Sequence, residues 1–183
     1  MAKNSTQQLL DDMLHPVRMR IMTALSGSQG LTPLLLAERL SDVPQATLYR
    51  QISRLVRSGL LAVLEERPVR GTVEKVYVLN RSAPAHIDPQ DLAALSKEDH
   101  LRYFNAFTAN LLDEFSRYLN HSPQIDLAAD GVGYTQVVLL MSDAELADFA
   151  RVINQALAPF IAGEDAAGRK KRIFSTILIP DVS

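Results

Sequence analysis

The sequence contains no cysteine. Disulfide bonds, thiolate-bound zinc, iron–sulfur clusters and cysteine nucleophiles are therefore excluded for these 183 residues. The histidines at positions 15, 86, 100 and 121 show no regular spacing of metal ligands. We therefore expect neither a metal ion nor another cofactor.

Long apolar runs are also missing. No window approaches the roughly 18 apolar residues of a membrane span, and residues 1–8 lack the apolar core of a signal peptide. We therefore expect a cytoplasmic protein with no membrane partner. The sequence also lacks the motifs G-x-S-x-G, G-x-G-x-x-G and H-E-x-x-H and a P-loop, so we do not expect an enzyme.

Positive charge is scarce overall but unevenly distributed. The net charge is −2. Residues 1–80 contain ten Lys and Arg against seven Asp and Glu, an excess of three positive charges. Residues 81–183 contain nine against fourteen, an excess of five negative charges. Because phosphate binding needs local positive potential, the first half is the candidate for contact with nucleic acid.

The first half has the pattern of three short helices and a hairpin. Helical spacing of apolar residues predicts helices at residues 16–25, 32–40 and 44–58. Two strands are predicted at residues 60–66 and 72–79, with residues 68–71 as the loop between them. Helices and a two-stranded wing in this order are typical of a winged helix-turn-helix, whose third helix enters the DNA major groove.

The third helix has one apolar side and one open side. Leu48, Ile52 and Leu55 form the side predicted to be buried. Arginine on the open side can pair with guanine, glutamine can pair with adenine, and small apolar groups can contact the thymine methyl group. Arg54 lies further along, where phosphate or an acidic neighbour is the expected partner. The residues predicted to bind DNA are Gln45, Ala46, Thr47, Tyr49, Arg50 and Arg54 on the helix and Arg67, Arg70 and Lys75 on the wing.

The second half is predicted to be an α/β unit. Residues 96–119 read as a long helix, and a helix started by a capping box at Ser142 lies between two apolar strands at residues 134–141 and 173–179. A two-stranded sheet is marginal alone, so helices or a second subunit must cover it. Aromatic residues along the long helix either line an apolar ligand pocket or, more simply, form core or dimer contacts; they are Tyr103, Phe104, Phe107, Phe115 and Tyr118.

The predicted fold class is therefore α+β with two domains. Residues 1–82 are assigned to a winged helix-turn-helix that binds double-stranded DNA. Residues 83–183 are assigned to a C-terminal α/β dimerisation or effector domain with a long helix and a strand–helix–strand unit. A homodimer is expected, because DNA sites of this kind are commonly two-fold symmetric.

Three segments resemble the ArsR-like winged-helix regulators. They are the stretch from His15-Pro16 to Leu25, the stretch from Leu36-Ala-Glu-Arg to Leu40, and the stretch from Ala46-Thr-Leu-Tyr-Arg to Leu55 followed by Gly59-Leu-Leu. The resemblance covers about residues 10–80 and implies a homodimeric transcription factor, in many relatives a repressor released by an effector. It assigns residues 45–54 to the recognition helix. The metal-sensing branch uses cysteines or paired Asp and His ligands that this chain lacks, so an effector is expected to be a small organic molecule.

One alternative remains open. The winged helix can instead serve protein contacts, with the third helix bound to another protein. Salt separates the two hypotheses, because a DNA-binding protein loses affinity steeply as its phosphate contacts are screened.

Overall fold

The computed structural model describes residues 5–69, 71–80, 89–121, 124–161 and 168–182. Helices and one β-hairpin form the N-terminal part of the chain. Its elements are α1 (Ser5–Met13), α2 (Pro16–Leu25), α3 (Pro33–Arg39), α4 (Gln45–Arg57), β1 (Leu61–Val69) and β2 (Thr72–Leu79). The helices that follow are α5 (Pro89–Ala93), α6 (Lys97–His121) and α7 (Asp143–Ile161).

The ends of several helices lie where local sequence signals predict them. The Thr32 hydroxyl caps α3 by accepting a hydrogen bond from the Leu35 amide at 3.3 Å. Gly59 follows α4 with a positive φ of 73°, the conformation that ends helices. At the start of α7, the Ser142 amide donates to Glu145 Oε2 at 2.8 Å, and the Glu145 amide donates to Ser142 Oγ at 3.4 Å. The predicted capping box is confirmed, and its hydrogen bonds hold the pKa of Glu145 below its usual value.

The main core lies between α2, α3 and α4. The apolar sides predicted from helical spacing meet there, so the helix-turn-helix part of the prediction is confirmed. Burying each large apolar side chain contributes about 1.5–3 kcal/mol. The buried members are Ile21, Leu25, Leu31, Leu36, Leu40, Val43, Leu48, Ile52, Leu55, Leu60 and Leu61.

The hairpin is antiparallel and is attached to the helices. Its register runs from Leu61 opposite Leu79 to Val69 opposite Thr72, with a bulge between Val63 and Glu65. Leu31 and Tyr77 exchange two backbone hydrogen bonds of 2.9 Å, which fix the hairpin beside the start of α3. Because β1 continues to Val69, the connection between the strands is shorter than the predicted loop.

Helix α1 was not predicted, although it contacts two separate buried clusters. It packs on the main core through Leu9 and Met13. Leu10 forms a second buried cluster with Leu95, just before α6, and Tyr103, within α6. The spacing of these three residues of α1 is helical, and that signal could have revealed the helix.

Polar contacts hold α1 to α5 and α6 as well. Thr6 Oγ1 donates to Asp91 Oδ2 at 2.6 Å. The Tyr103 hydroxyl donates to the Gln7 carbonyl at 3.3 Å. Tyr103 is thus a core residue, in agreement with the simpler of the two interpretations of the aromatic residues.

The chain divides into two compact units. The first is Met1–Leu112 together with Glu164–Ser183, and the second is Asp113–Gly163. In the second unit, Phe115 lies 6.2 Å from Tyr118 and 6.4 Å from Tyr134 between ring centroids. The predicted domain boundary between residues 82 and 83 lies outside the described residues and stays a prediction.

The predicted strand–helix–strand unit needs correction. Helix α7 is present, but residues 134–141 and 173–179 lie outside the helices and strands of the described chain. The hairpin β1–β2 is the one sheet among the described residues. An apolar run of six to eight residues is compatible with a strand, but a strand also needs a neighbour for its backbone hydrogen bonds, and the sequence pattern does not supply one. None of the described helices is both long enough and apolar enough to cross a membrane.

Candidate nucleic-acid interface

Helix α4 presents two chemically different sides. Leu48, Ile52 and Leu55 are buried in the main core. Gln45, Ala46 and Arg50 are exposed, and the Tyr49 side chain is 45% exposed. These four residues lie in the N-terminal half of the helix, the part of a recognition helix that reaches base edges. Thr47 is half-buried and is less accessible than the sequence suggested.

The charge on α4 is entirely positive. The helix contains Arg50, Arg54 and Arg57 and no carboxylate. The nearest preceding carboxylate, Asp42, is held by both ends of the Arg20 guanidinium, at 2.7 and 2.6 Å. Arg50 makes no hydrogen bond or ion pair with any described residue. Its guanidinium is therefore available for a base edge or a phosphate.

Arg54 already has an acidic partner within the protein. Its Nε donates to Oδ1 of Asp12 at 2.8 Å, and Asp12 is almost completely buried. The Arg54 side chain is still 42% exposed, so part of its guanidinium faces solvent. Of the two partners that the sequence allowed for Arg54, the acidic neighbour is present.

Asp12 also holds a second, buried arginine. Arg18 lies 3.3 Å from the Asp12 carboxylate and donates to the Asp12 carbonyl at 2.7 Å. Its Nη1 donates to Oε1 of Gln51 on α4, also at 2.7 Å. Asp12, Arg18, Gln51 and Arg54, the Asp12 network, thus connect α1, α2 and α4. Sequence reasoning missed this network, because residues far apart in the chain compose it; a polar residue on the buried side of α4, Gln51, was the available signal.

The wing is nearly neutral in sequence, and its two described cations are paired. Lys75 lies 2.9 Å from Glu66, which is directly opposite in the register, and this hydrogen bond raises the pKa of Lys75. Arg67 pairs with Glu65 on its own strand. Arg70 lies outside the described residues. The structure thus brings the predicted residues of α4 together on one helix, but it gives the two described wing cations acidic partners.

His15 precedes α2 and is half-buried. Its Nδ1 is buried and has no hydrogen-bond partner among the described residues. Burial lowers the pKa of His15 from its ordinary 6.5, and the nearby positive charges of Arg18 and, more weakly, Arg50 lower it further. The imidazole is therefore neutral at neutral pH.

We expect an NMR titration to give His15 a pKa below 6.5. The unfolded chain then binds the proton more readily than the folded protein, so the free energy of unfolding falls as the pH drops through 6.5. Arg50→Ala is expected to raise the pKa of His15, because it removes one of the positive charges. A pKa at or above the ordinary value would contradict the described environment.

Comparison with known proteins agrees with this geometry. Residues 13–63 match the family model of a helix-turn-helix domain. The match spans α2, α3, α4 and the first residues of β1. The matched domain indicates a DNA-binding regulator. No curated protein matches the chain. Within the described part of the chain, no group of three or more His, Asp or Glu side chains is arranged to hold a metal ion.

Proposed function

We propose that the protein is a sequence-specific transcriptional regulator of the ArsR-like kind, a homodimeric repressor whose binding to double-stranded DNA is controlled by a small organic effector. The single observation that supports sequence-specific DNA binding is the composition of the exposed side of α4. There Gln45, Tyr49 and Arg50 are accessible, Arg50 is unpaired among the described residues, and the helix bears no carboxylate. A recognition helix needs this combination of hydrogen-bonding groups and local positive charge.

The wing has a supporting role in this proposal. Since Arg67 and Lys75 are each paired with a glutamate, their charges attract phosphate less than that of Arg50 does. We therefore assign base reading to α4 and treat the wing residues, including Arg70, as weaker contacts with the DNA backbone.

Arg50→Ala is expected to weaken binding to the preferred DNA site about tenfold to a hundredfold, because a bidentate arginine–guanine contact contributes about 1–3 kcal/mol. The experiment selects DNA from a random library with the wild-type protein and then measures the affinity of both proteins for the selected site. The substitution is also expected to relax the preference at one base pair in each half-site.

Arg67→Ala is the matched control, since it removes an arginine that already has an acidic partner. It should reduce affinity less than Arg50→Ala and leave the selected sequence unchanged. If the wild-type protein enriches no sequence at low salt, DNA reading is refuted and the protein-contact alternative is favoured. Equal effects of the two substitutions would contradict the assignment of base reading to α4.

Dimerisation is proposed for the C-terminal half. Within the second unit, α7 exposes large apolar side chains that include Phe149, Val152 and Phe160, the last of which is 81% exposed. Apolar surface of this kind commonly marks a contact with another protein. A second copy of the chain would cover it and would match the two-fold symmetry of a DNA site.

Light scattering at micromolar concentration is expected to give the mass of a dimer. Phe149→Glu should shift the protein toward a monomer, because it places a charge within the buried contact. Glu145→Gln, on the same helix but in the polar capping box, is the control and should leave the dimer intact. A monomeric wild-type protein would contradict the proposal.

A further inference from the structure

A solvent-open cleft lies between α1 and the C-terminal half of α4. Its volume is about 290 Å³, near the lower end of the range for small-molecule sites. We call it the α1–α4 cleft. Its lining residues are Gln8, Leu9, Asp12, Arg54, Arg57 and Ser58. It lies within the first unit and is separate from the N-terminal residues of α4 that are assigned to base reading.

The cleft has a surplus of positive charge. Arg57 is exposed and makes no hydrogen bond or ion pair with any described residue. Arg54 uses its Nε for Asp12, which leaves its two Nη groups for another partner. The one carboxylate in the lining, that of Asp12, is already neutralised by Arg18 as well as by Arg54. An incoming anion therefore meets two guanidinium groups.

The other lining residues restrict the class of ligand. Leu9 supplies a partly buried apolar contact. The Ser58 hydroxyl donates to the backbone carbonyls of Arg54 and Leu55, so its proton is already used at the end of α4. Guanidinium groups bind the paired oxygens of a carboxylate or phosphate in a fork geometry. We propose that the α1–α4 cleft binds a small organic oxyanion, with its carboxylate or phosphate on Arg54 and Arg57 and its apolar body against Leu9.

The position of the cleft connects such a ligand to α4 and, through α1, to the start of α6. Arg54 belongs to α4, while Asp12 belongs to α1, which is held to α6 through Tyr103. An oxyanion on Arg54 lowers the positive charge of α4 and alters its ion pair with α1. This proposal rests on the proposed function in one respect, namely that an effector of a DNA-binding regulator has to act on the helix that meets DNA.

The test is a calorimetric titration of the full chain, without DNA, with two probes: benzoate and inorganic phosphate. Ionic strength is kept constant with sodium chloride. We expect saturable binding of at least one probe to the wild-type protein. Arg57→Ala should weaken this binding by at least about tenfold, since a hydrogen-bonded charge pair is lost. Arg151→Ala is the matched control, because it removes an exposed arginine outside the cleft, and binding should be unchanged.

Two outcomes would overturn the proposal. One is equal binding to the wild-type protein and to Arg57→Ala. The other is no binding of either probe at concentrations that would detect a Kd of about 1 mM. If in the second case Arg57→Ala also reduces the salt dependence of DNA binding, the oxyanion of this cleft is a phosphate of the DNA backbone and not a free ligand. Because the titrations contain no DNA, they remain informative even if the library selection refutes the proposed function.

Discussion

Asp12→Ala is expected to lower the free energy of unfolding by about 3–5 kcal/mol, the cost of removing one partner of a buried ion pair. Both Asp12 and Arg18 are buried, and Arg54 loses its partner too. Arg18 would keep its bonds to the Gln51 side chain and to the Asp11 and Asp12 carbonyls, but its charge would be left uncompensated. Since small domains are stable by only about 5–15 kcal/mol, this single change would bring the protein close to unfolding.

Urea denaturation monitored by circular dichroism measures this loss. Asp12→Asn should be less harmful, because an amide oxygen still accepts hydrogen bonds although the negative charge is gone. Asp148→Ala is the control, since it breaks an exposed ion pair with Arg151 and should change stability by less than about 0.5 kcal/mol. Equal midpoints for Asp12→Ala and the wild-type protein would show that the Asp12 network does not stabilise the fold.

Gly30→Ala is expected to cost about 3 kcal/mol or more. Gly30 has a φ of +119°, which an L-residue adopts only with strain. A Cβ atom at this position would also lie 2.6 Å from Cγ1 of Val76, a buried residue of β2. Two backbone hydrogen bonds hold the hairpin beside Leu31, so Val76 can move away from the new Cβ atom only if that pairing is disturbed.

Gly59→Ala separates backbone strain from the steric clash. Gly59 also has a positive φ, of 73°, but a Cβ atom there would have no atom within 4 Å. Only the left-handed conformation would be penalised, by about 1–2 kcal/mol. The two variants are compared by the same urea denaturation. If Gly59→Ala is as harmful as Gly30→Ala, the close approach of Val76 is not the cause of the larger loss.

The first of these predictions concerns contacts that fix α4, and the second concerns contacts that fix the wing. The Asp12 network joins α4 to α1 and α2, while the Leu31–Tyr77 pairing holds the wing beside α3. A recognition helix reads bases only if its side chains are held in a defined position, because small displacements break bidentate hydrogen bonds. The buried ion pair thus supports the exposed side of the helix.

Local sequence signals were sufficient for the helix-turn-helix and its caps. The apolar spacing of Leu48, Ile52 and Leu55 determines which side of α4 is buried, and Thr32 and Gly59 mark helix ends through contacts within a few residues. The exposed positions of Gln45 and Arg50 follow from the same periodicity. These features depend on contacts within a few residues, so the sequence alone is enough to predict them.

Only the tertiary structure decided which charges are free. The sequence allowed either phosphate or an acidic neighbour as the partner of Arg54; in the structure Arg54 is bound to a carboxylate 42 residues away, while Arg50 is bound to none among the described residues. The sequence likewise predicts Arg67 and Lys75 as DNA contacts, whereas the structure pairs them with Glu65 and Glu66. The apolar runs at residues 134–141 and 173–179 predicted strands, but neither run is part of a sheet among the described residues. Ion pairs and sheets both need a partner brought from elsewhere in the chain, and the periodicity of a segment carries no information about that partner.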